Sequence, residues 1–263
     1  MNKLSVKQAT ELALEVGRIL LQSGSATNRV EKMILKVCAG FGYPDTESYV
    51  TPTGIFISVN DSQGSISTSI KRIENRRIDL GKITQVSRLV TCLEEQDCPD
   101  GRSDMDAVKF SSELEIIDLK EAWPAWLRSL CGGATSGFFC LLFGGAWSEF
   151  GIAVLIGIIV SYGMKFLSKL SFNNFLLNAL AAALIVFIAK FMDIYIPYIR
   201  LDNIIIGGIM LLVPGLSITN AIRDTMSGDL VSGTARGMEA VFITVGIVAG
   251  SGTMLKLWAL WGY

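Results

Sequence analysis

Residues 204–224 read Ile-Ile-Ile-Gly-Gly-Ile-Met-Leu-Leu-Val-Pro-Gly-Leu-Ser-Ile-Thr-Asn-Ala-Ile-Arg-Asp. The first ten positions are apolar or glycine, as a bilayer-crossing helix requires. Pro214 then removes a backbone donor, and its ring clashes with the carbonyl four residues back, while Gly215 lets the chain turn. A break at this point frees carbonyls and exposes the N-terminus of a half-helix. Interrupted helices of that kind hold substrates in transporters, because the free amides bind carboxylates and other anions. Ser217, Thr219 and Asn220 follow at once with neutral hydrogen-bonding groups. Arg223, Asp224, Asp229, Arg236 and Glu239 then crowd a short stretch expected at the cytoplasmic end. The reading is therefore a substrate-binding set (Pro214, Gly215, Ser217, Thr219, Asn220) and a proton-coupling or gating set (Asp224, Arg236, Glu239, Arg223, Asp229). A plain proline kink with internally paired charges is the competing reading.

The flanking sequence extends the membrane pattern. Apolar segments at 126–143, 150–167, 175–192, 204–222 and 238–261 each approach the length needed to cross a bilayer, so each is expected to be helical. Trp123, Trp126, Trp147, Tyr195, Tyr198, Trp258, Trp261 and Tyr263 lie at segment edges, as in an aromatic belt. With the N-terminal part in the cytoplasm, Lys120, Arg128, Lys165, Lys169, Arg223 and Arg236 fall inside, and Lys190, Arg200 and Lys256 fall outside. This bias favours that orientation and leaves the C-terminus outside. Gly133/Gly137, Gly233/Gly237 and Gly246/Gly250 are spaced for close helix packing. Asn178 and Ser161 are read as helix–helix hydrogen bonds rather than ligands.

Before residue 98 the pattern is that of a soluble domain. Val6, Ala9, Leu12, Ala13, Val16, Ile19 and Leu20 recur at helical spacing, and Ser23-Gly24 stops the run. The stretch carries Glu11 and Glu15 within it, unlike a signal peptide. Thr27 is expected to cap a second helix with Val30, Ile34, Val37, Cys38 and Phe41 on one face. Ile55, Ile57 and Val59 alternate, as do Ile66, Thr68 and Ile70, across turn residues at 60–64. A β-hairpin follows, with a possible further strand at 46–50. Asp79 caps a third helix with Leu80, Ile83, Val86, Val90 and Leu93 inward. Residues 94–121 carry ten Asp/Glu against Arg102, Lys109 and Lys120, a run read as a solvated face, with a loop at 98–101 and a helix at 107–123. The expected fold class is a membrane α-helical bundle of five transmembrane helices preceded by a small cytoplasmic α+β domain. Its divisions are 1–97 (cytoplasmic domain), 98–123 (acidic linker and connecting helix) and 124–263 (five spans).

Composition narrows the chemistry. Of 263 residues, 51% are hydrophobic and 18% charged, below the roughly one quarter of soluble domains. A net charge of −1 gives no sign of a nucleic-acid partner. Histidine is absent, which removes histidine triads and histidine metal sites. The five cysteines (Cys38, Cys92, Cys98, Cys131, Cys140) lack the paired spacing zinc needs and are read as reduced, inert thiols. No metal and no cofactor are expected. An enzyme built on Ser23, Ser25, Arg29, Glu31, Asp45 and Glu47 would need a recognisable nucleophile, phosphate or metal motif, and the sequence holds none. The chain is read as a non-enzyme.

Residues 211–240, Leu-Leu-Val-Pro-Gly-Leu-Ser-Ile-Thr-Asn-Ala-Ile-Arg-Asp-Thr-Met-Ser-Gly-Asp-Leu-Val-Ser-Gly-Thr-Ala-Arg-Gly-Met-Glu-Ala, resemble the "VPG…N…D…G…G…R…E" signature of the bacterial threonine/serine exporter (ThrE-like) family. Residues 17–31, Gly-Arg-Ile-Leu-Leu-Gln-Ser-Gly-Ser-Ala-Thr-Asn-Arg-Val-Glu, are similar to that family's "G..LL.SGA.T.RVE" opening. The resemblance covers nearly the whole chain and carries over to Pro214, Gly215, Asn220, Asp224, Gly228, Gly233, Arg236 and Glu239. With five spans, the chain resembles the longer subunit of the family's split, two-subunit form. The resemblance implies a secondary transporter subunit in the bacterial cytoplasmic (inner) membrane, exporting threonine and serine with the proton gradient. It also implies a second, all-membrane subunit or a homo-oligomer as partner. Succinate or another dicarboxylate is the alternative cargo. A membrane-anchored sensor whose cytoplasmic domain binds solute is the alternative role.

Overall fold

The computed structural model describes residues 4–61, 66–74, 77–94, 106–120, 123–167, 173–196 and 198–261. Residues 62–65 of the expected turn, the loop at 98–101, Cys98, Lys169 and Tyr263 lie outside them. Ten helices and one three-stranded sheet are described. By contacts the chain divides into two units, Met1–Ala122 with Leu216–Gly237, and Trp123–Gly215 with Met238–Tyr263. Residues 216–237, assigned from sequence to the membrane half, thus cluster with the N-terminal residues.

In the first unit, α1 (Val6–Gln22) starts at a capping box in which Ser5 and Gln8 satisfy each other's backbone amides. Its apolar stripe buries Ala9, Ala13, Val16, Ile19 and Leu20. α2 (Thr27–Gly40) buries Val30, Ile34, Val37 and Cys38, and burial pushes the Cys38 thiol up to about 11. The expected cap is displaced by one residue. Ala26 holds the cap position without a side-chain bond, and Thr27 is the first helical residue, its hydroxyl engaged elsewhere. β1 (Thr46–Thr51), β2 (Gly54–Asn60) and β3 (Ile66–Arg72) form an antiparallel sheet in the order β1-β2-β3. Ile55, Ile57 and Val59 alternate inward, whereas Ile66 and Ile70 face outward and are exposed. A Cβ on Gly17 would come within 2.8 Å of Ile34 and 2.9 Å of Ile55, so glycine there lets α1 lie close to both.

Asp79 caps α3 (Leu80–Glu94), accepting from the Lys82 amide at 3.0 Å. Ile83, Val86 and Val90 are buried, while Leu80, expected inward, is exposed. α4 (Ala107–Leu119), read as part of the acidic connection, adds Phe110, Leu114 and Ile117 to the same core. Its Asp118 is paired rather than simply solvated, at 2.6 Å from Arg18. Cys38, Cys131 and Cys140 are free thiols, but Cys92 is disulfide-bonded, which corrects the expected set of reduced thiols.

The second unit contains α5 (Ala125–Leu142), α6 (Trp147–Leu167), α7 (Asn174–Tyr195), α8 (Leu201–Ile209) and the larger part of α10 (Leu230–Leu260). α9 (Gly215–Met226) follows α8 after a gap, and all but its first residue counts with the first unit. Among the helices described, α6, α7 and α10 are long and apolar enough to cross a membrane. Ala153, Ile156, Val160, Ala181, Ala182, Ile185 and Ile204 form the core of the second unit. Asn178 and Ser161 bond carbonyls of their own helices, Asn174 and Gly157, at 2.7 Å each. These bonds run within one helix rather than between helices, as short polar side chains often do with the carbonyl one turn back.

Small residues carry the close approaches. A Cβ on Gly246 would lie 2.8 Å from the Phe175 carbonyl oxygen, and one on Gly250 would collide with the Ala179 carbonyl oxygen. Gly250→Ala should therefore destabilise the protein by about 1–3 kcal/mol, as overpacking does. Gly252 has nothing within 4 Å of a built Cβ, so Gly252→Ala should be neutral or gain up to about 1 kcal/mol of helix propensity. Thermal melts of the detergent-solubilised variants check both.

Candidate functional site

Two helix ends in the first unit are closed in the same way. At the end of α1, the Ser25 amide donates to the Leu20 carbonyl at 3.0 Å, and Gly24 sits at φ +91°. At the end of α9, the Asp229 amide donates to the Asp224 carbonyl at 2.9 Å, and Gly228 sits at φ +89°. Both are C-terminal turns whose left-handed position suits glycine. The first turn aligns the Gly24 and Ser25 carbonyls ahead of the Thr27 amide. The second brings Asp229 to the N-terminus of α10, where it accepts from the Ser232 amide at 3.3 Å. Gly233 then lets α10 lie against α9, since a Cβ there would be 3.0 Å from the Ala221 carbonyl oxygen.

The two turns meet through polar groups. The Asp224 carboxylate accepts from the Thr27 amide at 3.2 Å, and its second oxygen faces Arg236 Nε at 3.2 Å. The Arg236 guanidinium donates to the Ser25 carbonyl at 2.8 Å. The Thr27 hydroxyl donates to Asp229 at 2.8 Å, and the Asn220 amide group donates to the Gly24 carbonyl at 3.0 Å. The Asp224 and Arg236 side chains are 0% and 6% exposed, so this is a fully buried ion pair. Ser25 and Ser232 place buried hydroxyls in the same unit, neither with a hydrogen-bond partner among the described residues.

Carboxylates dominate the electrostatics. The buried Asp224 carboxylate lies between Arg236 and the Thr27 amide, with the Asp229 carboxylate nearby. Glu31, one turn along α2 from Thr27, accepts from the Val50 amide at 2.9 Å. Burial raises the Glu31 carboxyl above its ordinary value, against the pull of that amide, with Asp229 and Asp224 reinforcing the rise. Glu31 therefore takes up a proton more readily than a free carboxylate.

Of the residues expected from sequence, the structure brings Asn220, Asp224, Asp229 and Arg236 together. Pro214 lies in the gap after α8, and Gly215 opens α9. Along α9, Ser217 is half-buried, Thr219 exposed and Arg223 exposed. Glu239 is half-buried on α10 and belongs to the second unit. Sequence reasoning missed Gly24, Ser25 and Thr27 as partners of this cluster. The signal is the Ser-Gly-x-x-Thr spacing after α1, which local rules read as a stop and a cap and which falls within the 17–31 stretch similar to the family's opening.

A family model described as "Putative threonine/serine exporter" (ThrE) matches residues 11–258. The chain belongs to this exporter family. It is 25% identical over 262 residues to the "Probable succinate transporter subunit YjjP" of Escherichia coli (strain K12), covering 98% of this chain and 97% of that protein. It is 26% identical over 254 residues to the "Threonine/serine exporter" of Corynebacterium glutamicum, covering 94% of this chain and 50% of the longer protein. The "Probable threonine/serine exporter" of Mycobacterium tuberculosis (strain ATCC 25618 / H37Rv) is 22% identical over 253 residues, covering 95% and 46%. No solved structure matches the chain.

Two measurements test the cluster. Asp224→Asn removes the carboxylate that the buried Arg236 faces and should cost about 3–5 kcal/mol. Asp224→Asn with Arg236→Met should cost less than the sum of the single changes in a thermal-melt cycle. Glu31→Gln keeps an acceptor for the Val50 amide but cannot titrate. The raised Glu31 carboxyl means the native state holds its proton more tightly than the unfolded chain. That stabilisation is complete below the ordinary value of 4.5 and is lost as pH rises through the raised native value. The melting temperature of wild type minus that of Glu31→Gln should therefore fall as pH rises from about 4.5 towards neutrality.

Proposed function

We propose that this chain is the longer subunit of a split exporter in the bacterial cytoplasmic membrane, moving threonine and serine out of the cell with the proton gradient. In this reading residues 1–97 form a cytoplasmic α+β domain, 98–123 an acidic connection and 124–263 a region of five spans. α5, α6, α7 and α10 supply four spans, and α8 with α9 makes the interrupted one. The partner is a second, all-membrane subunit of the same family, a homo-oligomer, or both, because alternating access needs a second moving half.

The interruption carries this reading. α8 ends at Ile209, and α9 begins at Gly215, directly after Pro214. Pro214 has no amide to donate, so the ladder stops there. The substrate carboxylate meets the amides at the start of α9, with Pro214 and Gly215 shaping the approach and Ser217, Thr219 and Asn220 bonding the remaining polar groups. Asp224, Asp229 and Arg236 gate that helix through the 24–27 turn, and Arg223 and Glu239 complete the gating charges. Asn220 serves both sets, since releasing Gly24 frees its amide group for solute. Succinate export is the second reading, favoured by the name of the full-length E. coli relative. A dicarboxylate would use the same α9 amides with Arg236 as its second anchor.

Efflux of labelled threonine, serine and succinate from cells expressing the chain with its all-membrane partner tests this directly. Thr27→Val, which loses one hydrogen bond and about 0.5–1.5 kcal/mol, should change efflux several-fold at equal membrane abundance. Asp224→Asn and Glu239→Gln should each reduce it at least tenfold. Unchanged efflux in all three variants would remove the gating role.

A further inference from the structure

Among the described residues, Glu149 is the one acidic side chain buried in the second unit, at 2% exposure. It is the third residue of α6. One carboxylate oxygen accepts from the Ala146 amide at 2.9 Å and from the Asn203 side chain at 3.4 Å. The other accepts from the Arg200 amide at 2.8 Å, with Arg200 Nε 3.6 Å away. The Arg200 guanidinium also donates to the Gly144 carbonyl. Arg200 immediately precedes α8, and Asn203 lies on it. A carboxylate on α6 therefore holds the N-terminal end of the first half of the interrupted helix.

We propose that Glu149 is a proton-binding station coupled to the position of α8, ionised while Arg200 and Asn203 clasp it and protonated when α8 withdraws. This rests on the reading of the chain as a transporter subunit. A negative charge suits the first turn of α6, but a buried one also needs the counter-charge of Arg200 close by. The two partners are also unequally buried, since the Glu149 side chain is 3% exposed and that of Arg200 is 62%. Arg200 can move into water while the carboxylate stays inside. A buried carboxylate without its counter-charge is cheapest when protonated. Arg200 is the charged group facing Glu149, and the Cys140 thiol of α5 is within electrostatic reach. The other buried polar side chains of this unit, Ser129, Ser136, Asn178 and Asn203, do not titrate near neutrality. The step is simple proton exchange, in which carboxylate and hydronium give carboxylic acid and water, reversed when the clasp closes.

Infrared difference spectra of the purified full chain, titrated with acid, test the station without requiring transport. The expected result is a carboxylic acid C=O band that grows on acidification and is lost in Glu149→Gln. In Arg200→Gln, which leaves the carboxylate in place, the midpoint should move up by at least one pH unit. A band indifferent to Glu149→Gln, or a midpoint indifferent to Arg200→Gln, overturns the proposal. In vesicles holding the chain and its all-membrane partner, Glu149→Gln should retain threonine exchange and lose at least tenfold of the net efflux driven by a pH gradient. Equal loss of both, as for a purely structural clasp, or loss of neither, overturns it as well. A titrating Glu149 band in a wild type that exchanges no solute would count against the transporter reading and leave the station standing.

Discussion

The first unit depends on one buried pair of opposite charges. Asp224 and Arg236 are both withdrawn from water, and neither is tolerable there alone. The pair's own attraction offsets only part of the desolvation, so the remaining lone pairs and donors need partners. The 24–27 turn supplies them, as the Thr27 amide to Asp224 and the Ser25 carbonyl to Arg236. This requirement is why residues 216–237 belong with a domain that ends about a hundred residues earlier in the chain. It also explains the glycines of the signature. Gly228 turns the chain so that Asp229 reaches Thr27, and Gly233 lets α10 approach α9 closely enough for Arg236 to face Asp224.

Periodicity in the sequence was informative wherever a single face is buried. The stripes of α1 and α2 and the alternation of β2 fell where burial puts them, because core burial sets a repeat that residue types record. β3 shows the limit, since Ile66 and Ile70 alternate correctly for a strand yet face outward. Alternation identifies a strand and leaves its buried side to the partners across the sheet. α4 shows another limit. An acidic run was read as solvated, but Phe110, Leu114 and Ile117 share one face of it, and their burial decides where the helix packs.

The site was legible in one half only. Pro214 and Gly215 announce a break by covalent geometry, so the interruption needed no tertiary information. The charges beyond it were visible as a cluster, but their partners lie some two hundred residues away along the chain, and no spacing rule reaches that far. Thr27 illustrates this. A threonine before a helical run reads as a cap, because local hydrogen bonding is the cheapest assumption, and only the half-buried Asp229 makes a distant bond preferable.

The break at Pro214 separates two polar networks that each hold one half of the interrupted helix. α8 is held through Glu149, Arg200 and Asn203, and α9 through Asn220, Asp224 and the 24–27 turn. Each network is centred on a buried carboxylate facing an arginine, 3.6 Å apart in one case and 3.2 Å in the other. The pairs differ in burial, since Arg200 is largely exposed and Arg236 is not, and under the proposed roles each is either clasped or opened, with little that is stable between. An unbroken helix would force both pairs to open together, because its backbone ladder transmits a shift along its whole length. Met210, Leu211 and Leu212 still donate to carbonyls three or four residues back, and the ladder is interrupted only at Pro214, so under the proposed gating one pair can stay closed while the other opens. An exporter needs that independence, since a path open at both ends at once would dissipate the gradient it works against.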